Sequence, residues 1–145
     1  GRHRGGLGIE RIFTVRSQEI TVSAIFNRMI VQPFGLHGGE PGRSSGIHVR
    51  RAGERAWRTF KEAFGTTSPS KFSGIVLRRG DQVRIIAPAG GGWGDPQDRE
   101  AERVRQDVAE GFVTPESALR DYGVEVSETA PGEFVIVDER RPSRG

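Results

Sequence analysis

Two glycine-rich runs constrain this chain more than any other feature of its sequence. The first is Pro33-Phe34-Gly35-Leu36-His37-Gly38-Gly39-Glu40-Pro41-Gly42; the second is Pro88-Ala89-Gly90-Gly91-Gly92-Trp93-Gly94-Asp95-Pro96. Glycine permits backbone angles that other residues resist, so both runs are loops. Glycine supplies 21 of 145 residues, about twice its usual share. That suits a loop-rich unit and argues against a helical bundle. The fold class expected is α+β: a mainly antiparallel β region up to about Ala87, then a C-terminal helical hairpin. The length is that of one ordinary domain.

No stretch approaches the roughly 18 apolar residues of a membrane helix, and no signal peptide is seen, so the expectation is a cytoplasmic protein with no membrane partner. The absence of Cys excludes disulfides, thiolate catalysis and Cys-based metal sites. The chain opens on Gly1 and not Met, so it is expected to be a piece of something longer. Net charge is +3, and only Lys61 and Lys71 are lysines. Arginine stays charged wherever the protein is folded and accounts for the pI of about 10.1. Arginines set beside Glu and Asp describe a salt-bridged surface, and the small net charge argues against nucleic acid.

Hydrophobic periodicity places strands at Ile9 to Val15 and at Glu19 to Phe26, with Arg16-Ser17-Gln18 between them short enough for a hairpin turn. A short strand follows at Ile47 to Arg50 and a turn at Arg51 to Gly53. Trp57, Phe60 and Phe64 recur at helical spacing, but Gly65 to Ser70 breaks any helix. Ile75 to Leu77 and Val83 to Ala87 read as strands joined by Arg78-Arg79-Gly80-Asp81.

Asp95 then caps a helix with Pro96 at its first position and Ala101, Val104 and Val108 as its apolar stripe, ended by Gly111. Thr114-Pro115 opens a second helix and Tyr122-Gly123 closes it, with Ala118, Leu119 and Tyr122 facing inward. Glu133 to Val137 is a last strand, and the charged tail from Asp138 to Gly145 is expected to be disordered.

The second glycine loop lies between a strand and a helix, as a phosphate loop would, but lacks the Gly-Lys-Ser/Thr ending. A dinucleotide fingerprint starting at Gly90 would need glycine where Asp95 stands. Asp95 is better explained as a helix cap. His37 and Glu40 lie three apart in the first loop, His3 and His48 stand alone, and no spacing gathers three metal ligands. His37 is kept as a polar site residue. The two C-terminal helices could imitate a helix-turn-helix, but Glu116 would face phosphates, so a hairpin packed on a sheet is preferred.

Three stretches read together add a family. Arg4-Gly5-Gly6-Leu7-Gly8, then Pro33 to Gly42, then Gly90-Gly91-Gly92-Trp93-Gly94-Asp95-Pro96 resemble the C-terminal part of the hydantoinase B / 5-oxoprolinase family. Gly111-Phe112-Val113-Thr114-Pro115-Glu116-Ser117-Ala118 and Asp121-Tyr122-Gly123-Val124 are similar to that family's ending. The likeness covers residues 2 to 126, which gives a portion 1–126 of that type and a remainder 127–145. Phe64 to Phe72 most resembles the acetone carboxylase-like branch.

The resemblance implies ATP-dependent chemistry on a lactam, hydantoin or ketone. A companion A-type subunit phosphorylates the small-molecule substrate, and the B-type subunit carries the intermediate on to hydrolysis or carboxylation. It implies ATP and a divalent metal, both bound outside this chain, and no catalytic residue is carried over. What carries over is the pair of loops: His37, Gly38, Gly39, Glu40 and Gly42, with Gly90, Gly91, Gly92, Trp93 and Asp95. Their N–H groups could bind an oxyanion or phosphoryl group. Alternatively they are tight turns at a contact with the rest of the B-type subunit. A different class of reading is a free-standing assembly or weakly basic nucleic-acid-binding module. On the family reading, apolar surface should be exposed, with Phe26, Trp57 and Phe60 as the residues to watch.

Overall fold

A computed structural model describes residues 1–140, and the chain divides into two compact units. One, the β unit, is built from residues 6–33 and 41–90; the other comprises residues 1–5, 34–40 and the chain from Gly91 onward.

The β unit holds β1 (Glu10–Thr14), β2 (Glu19–Ile25), β3 (Gly46–Arg50), β4 (Arg58–Thr59), α1 (Phe60–Phe64), β5 (Lys71–Arg78) and β6 (Gln82–Ile86). All pairings are antiparallel: one sheet has the order β1-β6-β3-β4, and β2 pairs with β5 in a second sheet. The hairpin expected between β1 and β2 is therefore not formed, and β5 does not pair with β6. Both connections are corners at which the chain leaves one sheet for the other. They lie side by side: the Val15 N–H donates to the Asp81 carbonyl at 2.9 Å, Gly80 to Val15 at 3.0 Å and Arg79 to Gln18 at 3.1 Å. Asp81, 2% exposed, closes the corner by accepting from the N–H groups of Ala52 and Arg78, both at 2.9 Å, and pairing with Arg51 at 3.0 Å.

Val15, Ile47, Val49, Phe60, Leu77 and Val83 form the core of this unit. Phe60 stacks on Phe72 with centroids 4.1 Å apart. The helix that Trp57, Phe60 and Phe64 suggested is only the five-residue α1. It is opened by a reciprocal cap between Thr59 and Glu62 and stopped by left-handed Gly65 at φ 66°. Trp57 precedes it, with the Arg50 guanidinium 4.7 Å from its ring centroid.

In the other unit, α2 (Ala101–Ala109) and α3 (Pro115–Tyr122) pack on a hairpin of β7 (Val124–Ala130) and β8 (Glu133–Glu139). Val104, Val108, Ala118, Val124 and Val126 are the core. The helical hairpin is present, its second helix capped by Thr114 and ended by Gly123 as expected. Three details differ. Asp95 caps a single 3-10 turn, Pro96–Asp98, and extended Arg99 and Glu100 separate that turn from α2. The segment after Gly123 is a full strand. β8 runs through Asp138 to Glu139, so the expected tail begins later; residues 141–145 lie outside the described residues.

Candidate functional site

The loops of the second unit bring three segments to one place. His3 and Trp93 form an antiparallel bridge, each N–H donating to the other's carbonyl at 2.9 and 3.0 Å. Leu36 joins Trp93 on a parallel bridge: the Leu36 N–H donates to Gly92 and the Gly94 N–H returns to Leu36, both at 2.9 Å. Gly92 also donates to the Glu40 carbonyl at 2.9 Å.

Glycine is required here because backbone touches backbone. A Cβ on Gly91 would overlap the Phe34 carbonyl, and one on Gly39 would overlap the Gly92 carbonyl. Between them, Leu36 to Gly39 is a tight turn in which His37 (φ 51°) and Gly38 (φ 86°) are both left-handed, closed by the Gly39 N–H to the Leu36 carbonyl at 2.9 Å. A non-glycine residue costs energy in that region, and such strain clusters at functional positions.

What this scaffold carries outward is aromatic and basic. The His3 ring lies 5.3 Å from that of Trp93 and the His37 ring 5.4 Å, both tilted, and Trp93 remains 45% exposed. The imidazoles can exchange protons near neutral pH and the indole offers a flat face for stacking. The sequence singled out His37 and Trp93 but left His3 isolated. Only the pairing of distant segments reveals it.

Asp95 caps the 3-10 turn, its Oδ1 accepting from the Gln97 N–H at 2.9 Å. The N–H groups of Gly39, Gly92 and Trp93, candidate oxyanion donors on the sequence, donate to backbone carbonyls. Gly42 and Gly90 belong to the β unit, where the Gly42 N–H meets the Pro33 carbonyl and the Gly90 N–H the Gly6 carbonyl, both at 2.8 Å. Among the described residues no three His, Asp or Glu side chains gather as metal ligands. Nothing described here therefore fits a metal centre.

A charged cluster fixes the N-terminal segment of this unit. Asp107, 4% exposed, pairs with Arg4 at 2.6 Å and Arg99 at 2.8 Å, and Arg4 lies over the Phe112 ring at 4.1 Å. In the β unit, burial and then the neighbouring Arg84 charge hold the half-buried His48 imidazole below its usual pKa. The exposed apolar residues are not those expected. Phe60 is fully buried and Phe26 and Trp57 are half-buried, whereas Ile25, Ile30, Val31 and Phe34 stand out. Aromatic residues near turns found core positions; aliphatic residues in the segment after β2 did not. No helix is long and apolar enough to cross a membrane among the described residues.

Residues 1–96 match the model of the family described as Hydantoinase B/oxoprolinase. An uncharacterized protein of Methanocaldococcus jannaschii is 30% identical over all 145 residues of this chain, which spans 24% of that protein. A protein of Pseudomonas sp. strain NS671, named as the B-type polypeptide of a D-/L-hydantoinase, is 28% identical over 142 residues, 97% of this chain and 22% of that protein. Among solved structures, nucleotide-free acetone carboxylase has the same fold at a TM-score of 0.69 and 24% identity, covering 95% of this chain and 21% of that one. The chain spans about a quarter or less of the length of the curated relatives it matches.

Proposed function

Because this chain belongs to the hydantoinase B/oxoprolinase family, we propose that it is the C-terminal part of the B-type subunit of an ATP-dependent enzyme. That enzyme acts on a phosphorylated lactam, hydantoin or ketone intermediate supplied by a companion A-type subunit. The outcome is hydrolysis or, in an acetone carboxylase-like branch, carboxylation. ATP and a divalent metal bind elsewhere in the assembly. The observation that carries the reading is the family match over residues 1–96, which contains both glycine-rich loops.

Within that enzyme, the role of this chain follows from its geometry. The glycines draw the segments of His3, His37 and Trp93 together, and most N–H groups of the two loops are spent in doing so. The groups left to meet a substrate are the exposed indole and its two imidazoles. A planar amide ring can stack on the first and exchange hydrogen bonds with the others.

The test uses the assembled A- and B-type subunits with ATP and hydantoin, 5-oxoproline or acetone. Wild type should turn over at least one of the three. Trp93→Ala and His37→Ala should each lower kcat/KM by about tenfold or more, the loss of one stacking or hydrogen-bonding contact. Turnover unchanged in both correctly assembled variants would remove the site assignment. Absence of any ATP-dependent turnover in wild type would remove the enzymatic reading.

A further inference from the structure

The two-stranded sheet of the β unit has an edge that lacks every usual guard. β2 pairs with β5 on one side, and no strand among the described residues pairs with the other. An open edge displays unpaired N–H and C=O groups, and proteins blunt it with charge, proline or bulges. β1, also an outer strand, is blunted by charge: Glu10 pairs with Arg84 at 2.8 Å and with Arg43 at 3.5 Å, and Arg11 follows. β5 carries Lys71 and Arg78 at its ends and a bulge between the pairs Val22↔Ile75 and Ala24↔Phe72, with Gly74 at φ 72°.

After Glu19, β2 reads Ile20-Thr21-Val22-Ser23-Ala24-Ile25, without charge or proline. The extra residue of the bulge sits on β5, so nothing bends β2 away. The chain that continues from this edge carries the most exposed apolar side chains of the molecule: Ile25 at 78%, Ile30 at 91% and Val31 at 67%. Phe26, Met29, Ile30, Val31 and Lys71 line an open hollow of about 220 Å³ beside them. Arg28 is the only charged residue from Phe26 to Val31. Two strands alone are marginal in water; a third strand and an apolar cover would complete such a sheet.

We propose that the free edge of β2 receives a β-strand from the part of the B-type polypeptide that lies outside these 145 residues, with Ile25, Ile30 and Val31 packed beneath it. This rests on the reading of the chain as part of a B-type subunit. The occupant is argued from two observations. The relatives matched over 97% or more of this chain carry about three quarters of their length beyond it. The patch is also apolar and nearly free of charge, which is the character of permanent interfaces and not of transient ones.

The experiment places a photo-crosslinking benzoylphenylalanine at Ile30 in the full B-type polypeptide assembled with its companion. Cross-linked peptides are identified by mass spectrometry, and amide exchange is read across Glu19–Ile25. The expected result is a cross-link to the same polypeptide outside these residues, with exchange of the β2 amides slowed by about a hundredfold or more. A cross-link to the A-type subunit or to a second copy overturns the proposal. So does exchange of the β2 amides near the unprotected rate.

ATP-dependent turnover on the same preparation keeps the two readings apart. An internal cross-link without turnover of hydantoin, 5-oxoproline or acetone removes the enzymatic reading and leaves the strand pairing. Turnover without the internal cross-link does the reverse.

Discussion

Replacing Asp81 by Asn tests whether one carboxylate holds the corner at which both strand connections of the β unit change sheets. The wild-type group accepts two backbone N–H bonds at 2.9 Å and pairs with Arg51 at 3.0 Å while 2% exposed. Asn has nearly the same shape but a single acceptor oxygen. One of the Ala52 and Arg78 N–H groups must then face an NH₂ donor, and Arg51 loses its counter-charge. A charge-assisted hydrogen bond is worth about 1.5–3 kcal/mol, and a stranded buried partner costs on the order of 1–3 kcal/mol more. Breaking a buried pair typically costs 3–5 kcal/mol, so the expected loss is about 4 kcal/mol, or some 10–15 °C in Tm for a chain of this size.

The pH dependence supplies the sharper test. Burial, the largest single influence, pushes the Asp81 carboxyl up, but the two N–H bonds and Arg51 together outweigh it and leave the carboxyl below its ordinary value of 3.8. A carboxylate depressed on folding contributes stability that is complete above its unfolded pKa and is lost as pH falls through the folded one. The gap between wild type and Asp81→Asn should therefore be full at pH 7 and shrink only below about pH 4. Unfolding can be followed by Trp57 fluorescence in a Trp93→Phe background, since the chain has 2 tryptophans and Trp57 is the one in the β unit. A gap under about 1 kcal/mol at pH 7, or one that stays constant down to pH 2.5, would refute the account.

Three further outcomes follow from the same structure. Gly39→Ala drives a Cβ into the Gly92 carbonyl, so Trp93 emission and unit stability should change, whereas Gly6→Ala, with nothing within 4 Å, should be neutral or slightly stabilising by thermal melt. Phe60→Ala removes a fully buried ring stacked on Phe72 and should cost about 3–5 kcal/mol by urea titration; a loss under about 1 kcal/mol would mean that the core is not centred there. His48 titrates below its ordinary 6.5, so it contributes stability above that pH that declines as the solution is acidified; His48→Gln should flatten urea midpoints between about pH 6.5 and 5.

Local signals in the sequence read well where one segment decides its own conformation. Thr114-Pro115 and Tyr122-Gly123 bounded α3 correctly because capping and the left-handed stop are local chemistry. The strand β7 went unassigned although its signal is as local: Val124 and Val126 alternate with polar residues and Pro131-Gly132 supplies the turn. What single segments cannot specify is a partner. Arg16-Ser17-Gln18 has the length of a hairpin turn, yet β1 finds β6 and β2 finds β5, because Val15, Leu77 and Val83 must share one core. Asp95 likewise has good capping chemistry, but extended Arg99 and Glu100 break the helix after one turn, and Arg99 reaches Asp107 and the Arg2 carbonyl.

The candidate site shows the same division at the scale of function. A glycine run in a sequence is equally compatible with an anion cradle and with a tight turn, since both need a missing Cβ. The two differ in where the N–H groups point. Here the N–H groups of Gly39, Gly92, Trp93 and Gly94 end on carbonyls within their own unit, and the missing Cβ atoms of Gly39 and Gly91 make room for backbone. The glycines thereby act as spacers, and the chemistry passes to the side chains they bring together. His3 is 90 residues from Trp93 in sequence and 5.3 Å from it in space. No periodicity or spacing rule could join them, because their proximity exists only through two carbonyl-to-amide bridges made across three chain segments. If the spacer account is right, a Cβ at Gly39 should disturb the emission of Trp93 and the separation of its two histidines while leaving the β unit's melting unchanged. An oxyanion cradle would instead lose ligand affinity with its geometry intact.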